Sequence, residues 1–241
     1  MFLRKKMNLL SELEKEIGTD FHNKDLLQEA LTHRSYLNEN PGWQYDNNER
    51  LEFLGDAVLE LVVTEELFKL LPDKEEGELT AYRAALVNYK MLGRVAEQIG
   101  LAGKLLVSKG EAKEFGKAKG HESIMADAVE AIIGAVYLDA GFAAAKQFIA
   151  KFIFPNIEEV LRSGGKDPKS LVQEIAQEKL KLTPTYKVIS ESGPAHERVF
   201  KVGLYFGEEL QSEGEGGSKQ EAEISAAEKA LMELKSENHV S

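Results

Sequence analysis

Glu49, Glu52 and Asp56 are three carboxylates in one short run, and their spacing suits metal-dependent chemistry. Read as a helix at about 100° per residue, they fall within about 60° of one another. Beside them Leu51, Leu54, Val58 and Leu61 make an apolar stripe, so the acids sit at the edge of a core. Like charges in a partly desolvated place raise one another's pKa unless a cation joins them. A hard divalent ion is the natural partner, although a solvated acidic helix face has the same spacing. Glu60 also lies within about 80° of Glu52, so spacing alone does not choose among these acids.

A second stretch narrows the choice. Ser123 to Leu138 is apolar nearly all round, which marks a buried helix, and its charges are Asp127 and Glu130, spaced i and i+3 on one face. Acids on such a helix need a partner, and the stretch contains no lysine or arginine. The joint expectation is that Glu52 and Asp56 meet Asp127 and Glu130 around Mg²⁺, an ion that takes oxygen ligands.

The strings NERLEFLGDAVL (Asn48 to Leu59), EGELT (Glu76 to Thr80) and ADAVEAIIGAVYLDAG (Ala126 to Gly141) resemble the nuclease domain of the bacterial ribonuclease III family. The resemblance implies a Mg²⁺-dependent endonuclease of double-stranded RNA, with Mn²⁺ able to substitute. It implies that Glu52, Asp56, Asp127 and Glu130 are the metal-site acids, with Asp56 and Glu130 catalytic. Glu49 and Glu76 match supporting acids, and Phe53 matches an aromatic that packs against the second subunit of a homodimer. The implied products carry 5′-phosphate and 3′-hydroxyl ends with short 3′ overhangs, made in processing ribosomal and other structured precursors.

Composition limits the alternatives. A hydrophobic content of 43% fits a globular protein, and no unbroken apolar run approaches the roughly 20 residues of a membrane span. The chain has no cysteine, which excludes disulfides and thiolate metal sites and is compatible with the expected cytoplasmic location. No membrane partner and no small-molecule cofactor is expected. Net charge runs against nucleic-acid binding: residues 1–165 carry 20 Lys and Arg against 27 Asp and Glu, and residues 166–241 carry 10 against 14. Binding to phosphate must therefore rest on local basic patches and weaken with salt.

The elements around these acids read as helices. Asn8 to Ile17 and Lys24 to Thr32 are short amphipathic ones. His33-Arg34-Ser35-Tyr36 follows, with His33 expected to be a structural hydrogen-bonding residue, and Asn38 to Asn47 reads as a loop. Trp43 in that loop offers a ring for base stacking or for packing. Helices opening at Glu75 or Glu76 and at Tyr89 follow, then the connector Ser108 to Gly120. Its Lys109, Lys113, Lys117 and Lys119 make it either a solvated linker or a mobile basic segment for an RNA backbone. Gly141 closes the buried helix, and a last helix, broken near Pro155, runs to Arg162.

The fold class expected is therefore multidomain α and α+β. An all-helical endonuclease and dimerisation domain spans residues 1–162, a flexible linker 163–167, and an α-β-β-β-α domain 168–236. In the last, Asp167 caps and Pro168 opens a helix through Leu171, Ile175 and Leu180. Strands follow at Thr185 to Glu191, Arg198 to Phe206 and Glu209 to Glu213, then a helix from Ser218 to Leu234 with Ala222, Ala226 and Ala230 on one face. That order, with GPAHERVF (Gly193 to Phe200) and GSKQEAEISAA (Gly217 to Ala227), resembles the double-stranded RNA-binding domain. Gly216-Gly217-Ser218-Lys219 brings backbone N–H groups, a helix start and a lysine together as a phosphate site, and the resemblance adds Gln173 and His196 as minor-groove contacts. Gln220 stands where the family usually has a second lysine, and Glu215 where a basic residue is common. The competing class is a non-catalytic double-stranded RNA-binding protein whose helical domain only dimerises, and four converging carboxylates argue against it.

Overall fold

The computed structural model describes residues 2–114, 122–194 and 198–237. It divides into two compact units, Met1–Gly165 and Lys166–Ser241.

The first unit is helical: α1 Phe2–Ile17, α2 Lys24–Ala30, α3 Arg34–Glu39, α4 Glu49–Leu70, α5 Glu76–Val87, α6 Tyr89–Gln98, α7 Lys109–Glu114, α8 Glu122–Phe152 and α9 Ile157–Arg162. The middle of α8 is its axis. Ala128, Val129, Ala131, Ile132, Ile133, Ala135 and Val136 are wholly buried, and α4 and α6 pack along it. By length and composition Glu122–Arg162 is apolar enough to cross a membrane, although its charges interrupt any unbroken apolar run; half of its most apolar stretch is buried within the unit. Gly141 breaks α8 as expected, at φ 83°, a left-handed conformation that glycine adopts without strain. Just before it, Asp139 accepts the N–H groups of His22 (2.9 Å) and Asn23 (2.8 Å), fixing the start of α2 to the end of the buried helix.

Three local expectations are corrected. His33 to Tyr36 do not merely lead into a loop: His33 caps the extra helix α3, its ring accepting the Ser35 N–H. Leu61 is not part of the inward stripe of α4 but 58% exposed, because the buried face turns through Leu51, Gly55, Val58, Leu59, Val62 and Val63. The first half of the expected flexible linker is a hydrogen-bonded turn, in which Ser163, Gly164 and Gly165 donate to Glu159, Leu161 and Val160.

The second unit runs α10 Pro168–Leu180, β1 Pro184–Ser192, β2 Val199–Phe206, β3 Glu209–Gly216 and α11 Lys219–Glu237. The strands form an antiparallel sheet in the order β1-β2-β3. Val202, Leu204 and Phe206 alternate inward, and Leu204 and Phe206 pack in one cluster with Ala226 and Ala230, as the period-two and small-residue patterns predict. Asp167 caps α10 through the N–H groups of Lys169 and Ser170. Leu180 is a correction: it is half exposed, and α10 buries Val172 and Ala176 instead. Gly214 lies under α11, where an added methyl would stand 2.2 Å from the Ala222 carbonyl oxygen and the Ala226 nitrogen.

Candidate metal centre and nucleic-acid interface

The acids meet because α4 and α8 cross backbone to backbone. A methyl built on Gly55 would lie 1.8 Å from the Glu130 carbonyl oxygen, and one on Gly134 would lie 2.2 Å from that of Leu51. Glycine in a helix interior costs about 1 kcal/mol relative to alanine, so two of them at one crossing mark a contact no larger residue permits. Glu52 lies one turn before Gly55, and Glu130 one turn before Gly134. The crossing therefore sets their side chains at its mouth.

One carboxylate oxygen each from Glu52, Asp127 and Glu130 lies within 4.8 Å of the others, all three residues half-buried. Burial pushes the Glu130 carboxyl up to about 8, and the charges of Asp56, Asp127, Glu52 and Glu60 add to it in that order. Glu52 is raised by burial and then by Asp127, Glu49 and Asp56. Asp127 is raised by burial, with His33 opposing. Such a set binds protons or a cation, and oxygen ligands around concentrated negative charge fit a hard divalent ion. Asp56 is exposed and stands outside the three converging groups, although its charge is the strongest neighbour acting on Glu130. Glu60, which spacing does not rank, also adds its charge to those acting on Glu130.

The remaining residues frame this centre. Glu49 is exposed, accepts from Asn47 Nδ2 at 3.1 Å and pairs with Arg34 at 3.5 Å. Glu76 is exposed in the first turn of α5 and is not among the converging acids. Phe53 is 81% exposed on the outer face of α4. Trp43 packs edge-on between Tyr36 and Tyr45 and donates to Thr32 Oγ1 at 3.3 Å, so it is a loop-packing ring. In the basic connector, Lys109 and Lys113 lie exposed on α7, while Lys117 and Lys119 fall outside the described residues.

In the second unit Gln173 is exposed on α10, close to Lys166, Ser170 and Gln177 on one open face. Ser218 precedes the first turn of α11, its Oγ accepting the Glu221 N–H at 3.2 Å, and Lys219 opens the helix, exposed. Gly217 N–H, one of the expected phosphate donors, is held at 2.9 Å by the Glu221 carboxylate, a capping arrangement that the phosphate-site expectation overlooks. The pattern Ser218-x-x-Glu221 is the sequence signal that reveals it. His196 lies outside the described residues.

Comparison with known proteins agrees with both units. The Ribonuclease-III-like family matches residues 23–157, and the double-stranded RNA binding motif matches residues 168–234. A Ribonuclease 3 of Borreliella afzelii is 46% identical over 230 residues, 95% of this chain and 93% of its own. One of Enterococcus faecalis is 42% identical over 226 residues, 94% of this chain and 97% of its own. The solved nuclease domain of ribonuclease III from Campylobacter jejuni aligns at a TM-score of 0.54 and 46% identity, covering 60% of this chain and 96% of that one. An acid-lined helix crossing, an RNA-binding unit after it in the chain and relatives matched along nearly their whole length lead to one conclusion: the chain belongs to the ribonuclease III family of double-stranded RNA endoribonucleases.

Proposed function

We propose that this endoribonuclease hydrolyses double-stranded RNA with Mg²⁺, or Mn²⁺ in its place, leaving 5′-phosphate and 3′-hydroxyl ends with short 3′ overhangs. The convergence of Glu52, Asp127 and Glu130 at the Gly55/Gly134 crossing carries the reading. Those three residues would hold the ion, with Asp56 beside Glu130 as the fourth acid. A bound divalent ion supplies a Lewis acid that neutralises phosphate charge and lowers the pKa of water. The chain's own part is to keep four acids together on two rigid helices and to release the proton from Glu130 when the site is loaded. Glu49, tied to Arg34, adds negative charge on Glu52 from the edge of the site, and Glu76 is assigned a supporting place along the substrate path.

Selection of duplex falls to the second unit. Gln173 and His196 would meet the minor groove, with Ser218 and Lys219 on a phosphate. Homodimerisation is supported by Phe53, Leu61 and Phe68, all more than half exposed and within about 80° of one another on α4. The similar Campylobacter jejuni nuclease domain has a region involved in dimer formation. Two such centres, one for each strand, account for a double cut. We place the activity in the cytoplasm, on ribosomal and other structured precursors.

The test is cleavage of an end-labelled duplex by wild type and Glu130→Gln, with Mg²⁺ or excess chelator, beside a gel shift. Cutting by wild type only with the ion, and binding without cutting by the variant, is the expected result. Wild type that binds duplex yet never cuts with Mg²⁺ or Mn²⁺ overturns the reading in favour of a binding scaffold.

A further inference from the structure

The segment Thr32 to Ser35 borders the acids and has no task in the mechanism above. It is firmly built. Leu106 N–H donates to Leu31 O at 2.8 Å, His33 N–H to Leu106 O at 2.9 Å, and Asn48 N–H to Thr32 O at 2.9 Å, immediately before Glu49. The segment is thereby fixed on one side to residue 106 and on the other to the start of α4. The His33 ring is fixed as well. Its Nδ1 accepts the Ser35 N–H at 3.3 Å and lies 2.8 Å from Ser35 Oγ, which itself accepts the Ser108 N–H at 3.0 Å.

With Nδ1 held as acceptor, a neutral ring carries its proton on Nε2. Among the described residues Nε2 has no hydrogen-bond partner, and the ring lies within electrostatic reach of Glu111, Arg34, Asp127 and Glu49. An acid-lined centre repels a polyanion, so donors are needed at its edge to hold a phosphate. A neutral N–H serves well there, because it donates without being captured in an ion pair by Asp127.

We infer that His33 is a phosphate-holding residue of the reaction, its Nε2–H donating to a non-bridging oxygen of the cut strand while Ser35 fixes the ring. This rests on the acids being the nuclease centre. Two substitutions separate the donor from the cap. In His33→Asn, Oδ1 takes the place of Nδ1 and keeps the cap on α3, but no donor remains at the Nε2 position. In His33→Gln, the amide N–H reaches the Nε2 position, but the cap is lost.

Single-turnover cleavage of duplex RNA with Mg²⁺ and thermal unfolding are measured for both variants. His33→Asn should unfold with the wild type yet cut at least about tenfold more slowly, towards the roughly hundredfold loss typical of one donor at a reacting oxyanion. His33→Gln should cut faster than His33→Asn while unfolding earlier. Without cutting, adding His33→Asn to Glu130→Gln should weaken duplex affinity about threefold, a fraction of one hydrogen bond. Cleavage by His33→Asn at the wild-type rate, His33→Gln no faster than His33→Asn, or unchanged affinity in the Glu130→Gln background overturns the inference alone. Failure of the wild type to cut overturns the nuclease reading itself.

Discussion

At Gly55 and Gly134 two helices touch through their backbones, and at Gly214 a helix lies about as close on a strand. The two contacts use one device for opposite electrostatic ends. The first gathers Glu52, Asp127 and Glu130 and leaves their charge uncompensated, pushing Glu130 up to about 8. In the unit that holds the second, four basic side chains are matched with acids: Lys169 with Glu223, Lys201 with Glu213, Arg198 with Glu191 and Lys166 with Glu174. Uncompensated charge is a site waiting for a counter-ion, whereas partly exposed matched pairs contribute little to stability, and Lys219, exposed and outside these pairs, is the cation at the α11 start. Function is concentrated where the packing leaves charge unbalanced.

Gly55→Ala attacks the first contact most directly. Its methyl has only backbone to displace, so the helices must part, at about 3 kcal/mol against a propensity gain of about 1 kcal/mol. Urea titration should show the loss, and divalent-ion affinity should fall with it. Gly214→Ala should cost about 2 kcal/mol in the second unit only, weakening duplex binding while ion binding by the first unit persists. An equal loss in both units would erase the contrast.

A pH effect follows in divalent-free buffer. The folded chain keeps a proton on Glu130 to about 8, while the unfolded chain releases it near 4.5, so the folded state binds more protons between these values. Stability from this group is full below about pH 4.5 and is lost as pH rises through about 8. Thermal midpoints should decline across that window, and Glu130→Gln or added Mg²⁺ should flatten most of the decline. The least of the effects is Lys219→Ala, which should weaken duplex binding several-fold and reduce the salt slope by about 1.

Much of this arrangement is legible in residue types. Alternation of Val202, Leu204 and Phe206 gives the inward face of β2, and paired acids on an apolar helix give Asp127 and Glu130. Distances between segments are not legible: periodicity places Asp56 on the face of Glu52, yet the crossing converges only Glu52 with the α8 acids and leaves Asp56 exposed. Leu61 and Leu180 read as inward because they are leucines at helical spacing, a pattern that also describes an apolar residue left outside. The helix α3 escapes sequence reasoning because its cap is a histidine ring accepting a backbone N–H, which lies outside the usual Ser, Thr, Asp and Asn signals. Gly55 and Gly134, set in mid-helix at a cost in propensity, are the residues that betray the crossing.

Asp139 carries a consequence for the order of assembly during synthesis. It holds the N–H groups of residues 22 and 23 from 117 and 116 positions further along. The opening helices therefore cannot complete their native contacts as they leave the ribosome and must wait for the end of the buried helix to emerge. A nascent chain arrested before residue 139 should leave the amide protons of His22 and Asn23 exchanging freely, and one arrested well beyond it should protect them.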